Sequence, residues 1–150
     1  MGVRIIGLGQ AAGGDDGVGL AVVEWLRRRG VPDGVELHIA PEPSALLPLL
    51  EGGAPVVVVD AALGAPAGQV LELGPEALAS QAATPVSSHG LSVFQAIALA
   101  RLISPGAVSP SIRVVAVTIA RPERYGHGLS PPVAEAVPRA AERILTLTGG

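Results

Sequence analysis

Val56-Val57-Val58-Val59-Asp60 is the stretch that decides the fold. Four consecutive β-branched residues favour an extended backbone, and the lack of polar alternation means that both faces of this strand must be covered. Such a strand belongs in the middle of a parallel sheet with helices packed on either side. The apolar run stops on an acid, which places Asp60 at the C-terminal end of a central strand.

Working outward, Val3-Arg4-Ile5-Ile6-Gly7-Leu8 reads as a buried first strand ended by Gly9. Beyond a Gly-rich loop, Val18 to Arg29 has helical periodicity, with Val18, Ala21, Val22, Trp25 and Leu26 on one face. The breakers Gly30-Val31-Pro32-Asp33-Gly34 close that helix. Val35 to Ala40 is a short second strand, and Ser44 is placed to cap a helix over Ala45 to Glu51. Downstream come a loop from Gly64 to Gly68, a strand from Gln69 to Leu73 and a polar, Ala-rich connection to Ser88. Leu91 to Ile103 has few charges and reads as a mostly buried helix, and Ile112 to Ile119 as another buried strand. An amphipathic helix over Val133 to Leu147 closes the chain, with Pro131 and Pro132 tolerated in its first turn. The Gln69–Leu73 strand follows its predecessor too closely for a parallel crossover, so one pairing is antiparallel. The fold class is α/β, a single domain over residues 1–150. Its expected architecture is a three-layer sandwich, a mostly parallel sheet with one antiparallel strand and helices on both faces.

Composition excludes several function classes. Apolar residues make up 49% of the chain and charged residues 15%, which excludes disorder. Aromatics are only 2%, too few for the stacking platforms of a single-stranded nucleic-acid binder. Every basic residue is Arg, and the one basic run, Arg27-Arg28-Arg29, complements the dipole at a helix end. The absence of Cys excludes disulfides, thiolate metal sites and Cys nucleophiles. With no secretory n-region or apolar signal stretch and no apolar run long enough to span a bilayer, the expectation is a cytoplasmic protein without a membrane partner.

Three places carry chemistry. In Gly7-Leu8-Gly9-Gln10-Ala11-Ala12-Gly13-Gly14-Asp15-Asp16-Gly17, the spacing of Gly7, Gly9 and Ala12 satisfies a loose dinucleotide pattern. Two carboxylates at the following helix start would repel a diphosphate. Either Asp alone is explained by helix capping, whereas two together leave one to cap and one to project. Asp60 ends the central strand, on the edge where open α/β sheets bind ligands, and a carboxylate there needs a partner or a metal. Ser87-Ser88-His89-Gly90-Leu91 opens a buried helix, where the positive helix end keeps His89 neutral and available as a base or ligand. Asp16, Asp60 and His89 form a donor set suited to a borderline divalent metal with open positions. His38 and His127 lack such companions. From the residues alone, a metallohydrolase and a metal-binding module both remain open.

Several segments together resemble the [NiFe]-hydrogenase maturation endopeptidases. They are Gly7-Leu8-Gly9, Asp15-Asp16-Gly17-Val18-Gly19, Val57-Val58-Val59-Asp60-Ala61, Ser88-His89-Gly90-Leu91 and Gly128-Leu129-Ser130-Pro131, in family order across almost the whole chain. The resemblance implies that Asp16, Asp60 and His89 are the metal-contacting and catalytic residues. It also implies that the partner is a [NiFe]-hydrogenase large-subunit precursor, and that nickel arrives with that precursor and is bound only in the complex. Removal of the precursor's C-terminal peptide would then use a metal-polarised carbonyl or an activated water, with Asp16 or Asp60 as an alternative general base. Two positions depart from the family: Gln10 stands where Asn is common, and His38-Ile39-Ala40-Pro41-Glu42-Pro43-Ser44 replaces a Gly-Thr-type turn that helps select the substrate. The alternatives are a metal-dependent peptidase acting on an unrelated protein and a non-catalytic module that senses nickel occupancy. A monomer is expected, since the substrate is itself a large protein surface.

Overall fold

The computed structural model describes residues 2–9, 11–73, 93–120 and 128–149. Strand β1 (Val3–Leu8) leads through a 3-10 turn (Ala11–Gly17) into helix α1 (Val18–Arg29), followed by β2 (Val35–Ala40). A second 3-10 turn (Pro43–Ala45) runs into the single-turn helix α2 (Leu46–Leu49), and then come β3 (Val56–Leu63) and β4 (Val70–Leu73). Helix α3 (Val93–Ile103), β5 (Ile112–Ile119) and α4 (Pro131–Gly149) complete the order. The five strands among the described residues form one sheet in the order β2-β1-β3-β5-β4. All neighbours are parallel except β4, which runs antiparallel to β5.

The uniform valines of β3 are explained by the two cores. Val57 and Val59 pack with Ile5, Val115 and Val117 against α1 and α4. Val56 and Val58 pack with Ile6, Leu8 and Val114 against α2 and α3. Alternate residues of one strand thus serve opposite faces, so no position in the run is free to be polar. Helix α4 continues through Pro138, which lies on its exposed face. Its missing N–H leaves one carbonyl of the preceding turn without an intrahelical donor.

Three local expectations are corrected. Ser44 caps no helix: its hydroxyl donates to Glu42 Oε1 at 3.0 Å, and the predicted Ala45–Glu51 helix is a 3-10 turn followed by a single α-helical turn. Pro48 prevents an α-helical bond back to Ser44, which leaves that turn 3-10, and Gly52, with φ +112°, ends the segment. Helix α3 is buried along Val93, Ala96, Ile97 and Ala100, but its last turn exposes Leu102 and Ile103. The expected reversed strand is β4, which joins the sheet through β5, with Leu71 opposite Ala116. Finally, β3 runs three residues past Asp60. No helix of the described residues is long and apolar enough to cross a membrane.

Candidate active site

The site follows from the strand order. From β1 the chain crosses to β2 on one side and then returns past β1 to β3 on the other, so the winding reverses between β1 and β3. Such a switch point opens a crevice at the C-terminal ends of the strands. Pairing of β1 with β3 ends at Gly7 opposite Val59, while β3 continues to Leu63 beside β5 alone. Asp60 is therefore the first residue of β3 beyond the reach of β1, which is why it sits at the crevice although its strand goes on.

Helix α1 is drawn against this point by glycine. A Cβ on Gly19 would meet the carbonyl oxygens of Leu8 and Val59, and one on Gly7 would meet the Gly19 carbonyl. The helix start therefore rests directly on the backbones of β1 and β3. Gly9 has φ +133°, and a Cβ there would lie 2.6 Å from the Asp16 carbonyl oxygen. Its N–H donates to the Ala40 carbonyl at 3.0 Å, which joins the end of β2 to the loop carrying the acids. These contacts give Gly7 and Gly9 a packing role that the dinucleotide pattern does not require.

The two adjacent acids divide their work, in a way other than predicted. Asp15 is buried, its Oδ1 accepting from the Ser130 N–H and its Oδ2 from the Ser130 hydroxyl, both at 2.7 Å. It fastens the loop before α1 to the start of α4 and does not cap its own helix, whose N-cap is Gly17 without a side-chain bond. Asp16 is left partly buried. Burial raises its pKa above the ordinary carboxylate value, and the neighbouring Asp15 adds to the rise. Asp60 is pushed up to about 7, chiefly by burial, with Asp16 adding repulsion and a 2.8 Å bond from the Ala61 N–H opposing the shift.

The charge of Asp16 thus reaches Asp60 at the crevice. His89, the third predicted residue, lies outside the described residues, as do Gln10 and His127. Among the described residues no three His, Cys, Asp or Glu side chains gather as a metal site. A carboxylate raised by burial and by a neighbouring acid is drawn to its ionised form by a cation, and one titrating near neutrality can accept or release a proton. His38 bonds to Glu36 at 3.0 Å and takes no part. A cleft of about 1120 Å³ among Arg4, Glu51, Arg101 and Ser109 holds none of the predicted residues. Ser130 is the residue that sequence reasoning missed as the partner of Asp15: it was visible only as part of Gly128-Leu129-Ser130-Pro131, 115 positions away.

Fold and acid pair together define a doubly wound α/β domain with an acidic site at its switch point. The family model of the hydrogenase maturation proteases matches residues 22–147, a span that contains Asp60 and His89 and begins after Asp16. The chain belongs to the hydrogenase maturation protease family and is a peptidase. By sequence alone no curated protein matches it. Among solved structures, hydrogenase maturating endopeptidase HybD from E. coli superposes with a TM-score of 0.79 at 24% identity, covering 98% of this chain and 91% of that one. The [NiFe] hydrogenase maturation protease HybD from Thermococcus kodakarensis gives 0.74 at 22% identity, covering 98% and 99%. HycI from Thermococcus kodakarensis KOD1 gives 0.73 at 23%, covering 99% and 93%. These likenesses establish the fold.

Proposed function

We propose that this chain is a nickel-dependent endopeptidase that removes the C-terminal peptide of a [NiFe]-hydrogenase large-subunit precursor. Family membership supports the reaction class, and the single observation that carries the mechanism is the Asp16–Asp60 pair at the switch point. In this reading nickel belongs to the substrate: it sits in the precursor and meets Asp16, Asp60 and His89 only in the complex. A divalent cation would offset the repulsion between the two carboxylates and draw Asp60 towards its ionised form. Hydrolysis then adds water across the scissile amide, with hydroxide going to the carbonyl carbon and a proton to the leaving nitrogen. A carboxyl near neutrality is suited to carrying that proton. The cysteine-free sequence needs no oxidising compartment, in keeping with a cytoplasmic location. We take the protein to act as a monomer, without nucleic acid.

The test is the intact mass of the large-subunit precursor after incubation with this protein, with and without nickel. Loss of a C-terminal peptide only with nickel, abolished by Asp16→Asn, supports the reading. Complex formation with an unchanged mass would make the protein a sensor of nickel occupancy. Neither binding nor cleavage would direct the search to an unrelated protein substrate.

A further inference from the structure

We infer that the open edge of β2 receives the precursor's C-terminal segment as an added strand, an inference that rests on the endopeptidase reading. In the parallel pair β1–β2, alternate residues of β2 direct their backbone groups to β1. The Gly34 carbonyl accepts from the Val3 N–H at 2.9 Å and the Ala40 carbonyl from the Gly9 N–H at 3.0 Å, so the even-numbered residues face β1. The N–H and C=O groups of Leu37 and Ile39 therefore point outward, and no strand lies beyond β2 among the described residues. An extended peptide satisfies such groups by strand addition, which recognises backbone shape with little demand on side chains.

The backbone link to the acid pair and the greater strand length favour this edge over that of β4. Gly9 contacts the Asp16 carbonyl and bonds to Ala40, so the end of β2 is continuous with the acid pair. Ile39, at that end, presents a partly exposed apolar side chain. The edge strand β4 has only four residues against six in β2; each strand carries one ion-paired glutamate, Glu72 or Glu36, and one exposed apolar side chain, Leu71 or Ile39, so these do not separate the two edges. Short edges resist strand addition.

Ala40 and Leu8 are paired, and Asp60 follows the Gly7–Val59 pair, so all three lie on one row across the sheet. A strand added outside β2 lies three strand spacings, about 14 Å, from β3. An extended chain crosses that distance in about four residues. The paired segment is thus a recognition segment, separated from the scissile bond by a short crossing over the strand ends.

The experiment uses nickel-loaded precursor and compares the unmodified protein with Ile39→Pro and Ile39→Val. Proline removes one outward N–H and leaves the β1 ladder intact, so KM should rise about three- to tenfold with kcat unchanged. Ile39→Val keeps the N–H, and its KM should lie clearly below that of Ile39→Pro. Independently of how Ile39→Pro folds, amide hydrogen exchange is followed in the unmodified protein with a synthetic peptide of the precursor's C-terminus. Slowed exchange at Leu37 and Ile39 is the expected result. Protection at Val70 and Glu72 instead, or an unchanged KM for folded Ile39→Pro, overturns the edge assignment while the endopeptidase reading stands. Failure of the unmodified protein to cleave the precursor overturns both.

Discussion

Asp15 and Asp16 are neighbours with opposite obligations. Asp15 has both oxygens engaged by Ser130, so its value to the protein is structural. Replacing it with Ala leaves the Ser130 N–H without its acceptor, and stability should fall by about 1–3 kcal/mol in chemical denaturation. Asp15→Asn keeps an acceptor oxygen and should lose less; equal losses would show that the bond to Ser130 is not what matters. Asp60 has the reverse character, because the fold raises its pKa from 3.8 to about 7. The folded state holds that proton more tightly than the unfolded chain does. Its contribution is therefore complete below about pH 4 and is lost as pH rises through about 7. Asp60→Asn should raise thermal stability at pH 8, by on the order of 2–4 kcal/mol, and change little at pH 4. A melting-temperature gain that is the same at both pH values would contradict this origin.

At the scale of elements, the decisive contact is α1 on the ends of β1 and β3. Gly19 rests against the Leu8 and Val59 carbonyls, so an added methyl has no flexible neighbour to displace. Gly19→Ala should cost about 3 kcal/mol or more, despite the better helix propensity of Ala, and should shift the urea midpoint accordingly. A stabilised variant would mean that the helix start can slide off the strands. The reversed strand β4 is anchored in a different way. The Thr118 hydroxyl accepts from the Gln69 N–H and donates to the Pro66 carbonyl, both at 2.8 Å, and Arg139 donates to the Gly68 carbonyl at 2.9 Å. One buried hydroxyl thus ties the β3–β4 loop to β5, whereas the sequence showed only that a strand this close to its predecessor must reverse.

For the whole molecule, one sheet with a core on each face couples the two layers. Ile5 and Ile6 are adjacent and fully buried, yet they belong to opposite cores. Ile5→Ala and Ile6→Ala should each lower stability by about 2–5 kcal/mol. Both variants should unfold in a single transition, coincident by far-UV dichroism and Trp25 fluorescence, because β1 and β3 are shared by both layers. Separated transitions for either variant would show that the layers melt independently.

The sequence by itself determined the elements whose signals are local. The valine run, the helical spacing from Val18 to Leu26 and the breakers at Gly30–Gly34 placed the start of β3 and both ends of α1, because each rests on interactions within a few residues. Asp16 and Asp60 were also legible, as acids at a helix start and towards a strand's end. Ser44 and the exposed end of α3 were misread, since Pro48, Gly52 and the covering of one face outweighed the local pattern. Only the tertiary structure decided the strand order, the choice of β5 as partner for β4, the bond from Ser130 to Asp15 and the meeting of Asp16 with Asp60. Those depend on contacts between residues tens of positions apart, and side-chain periodicity states which face a residue takes but not which distant neighbour will lie against it.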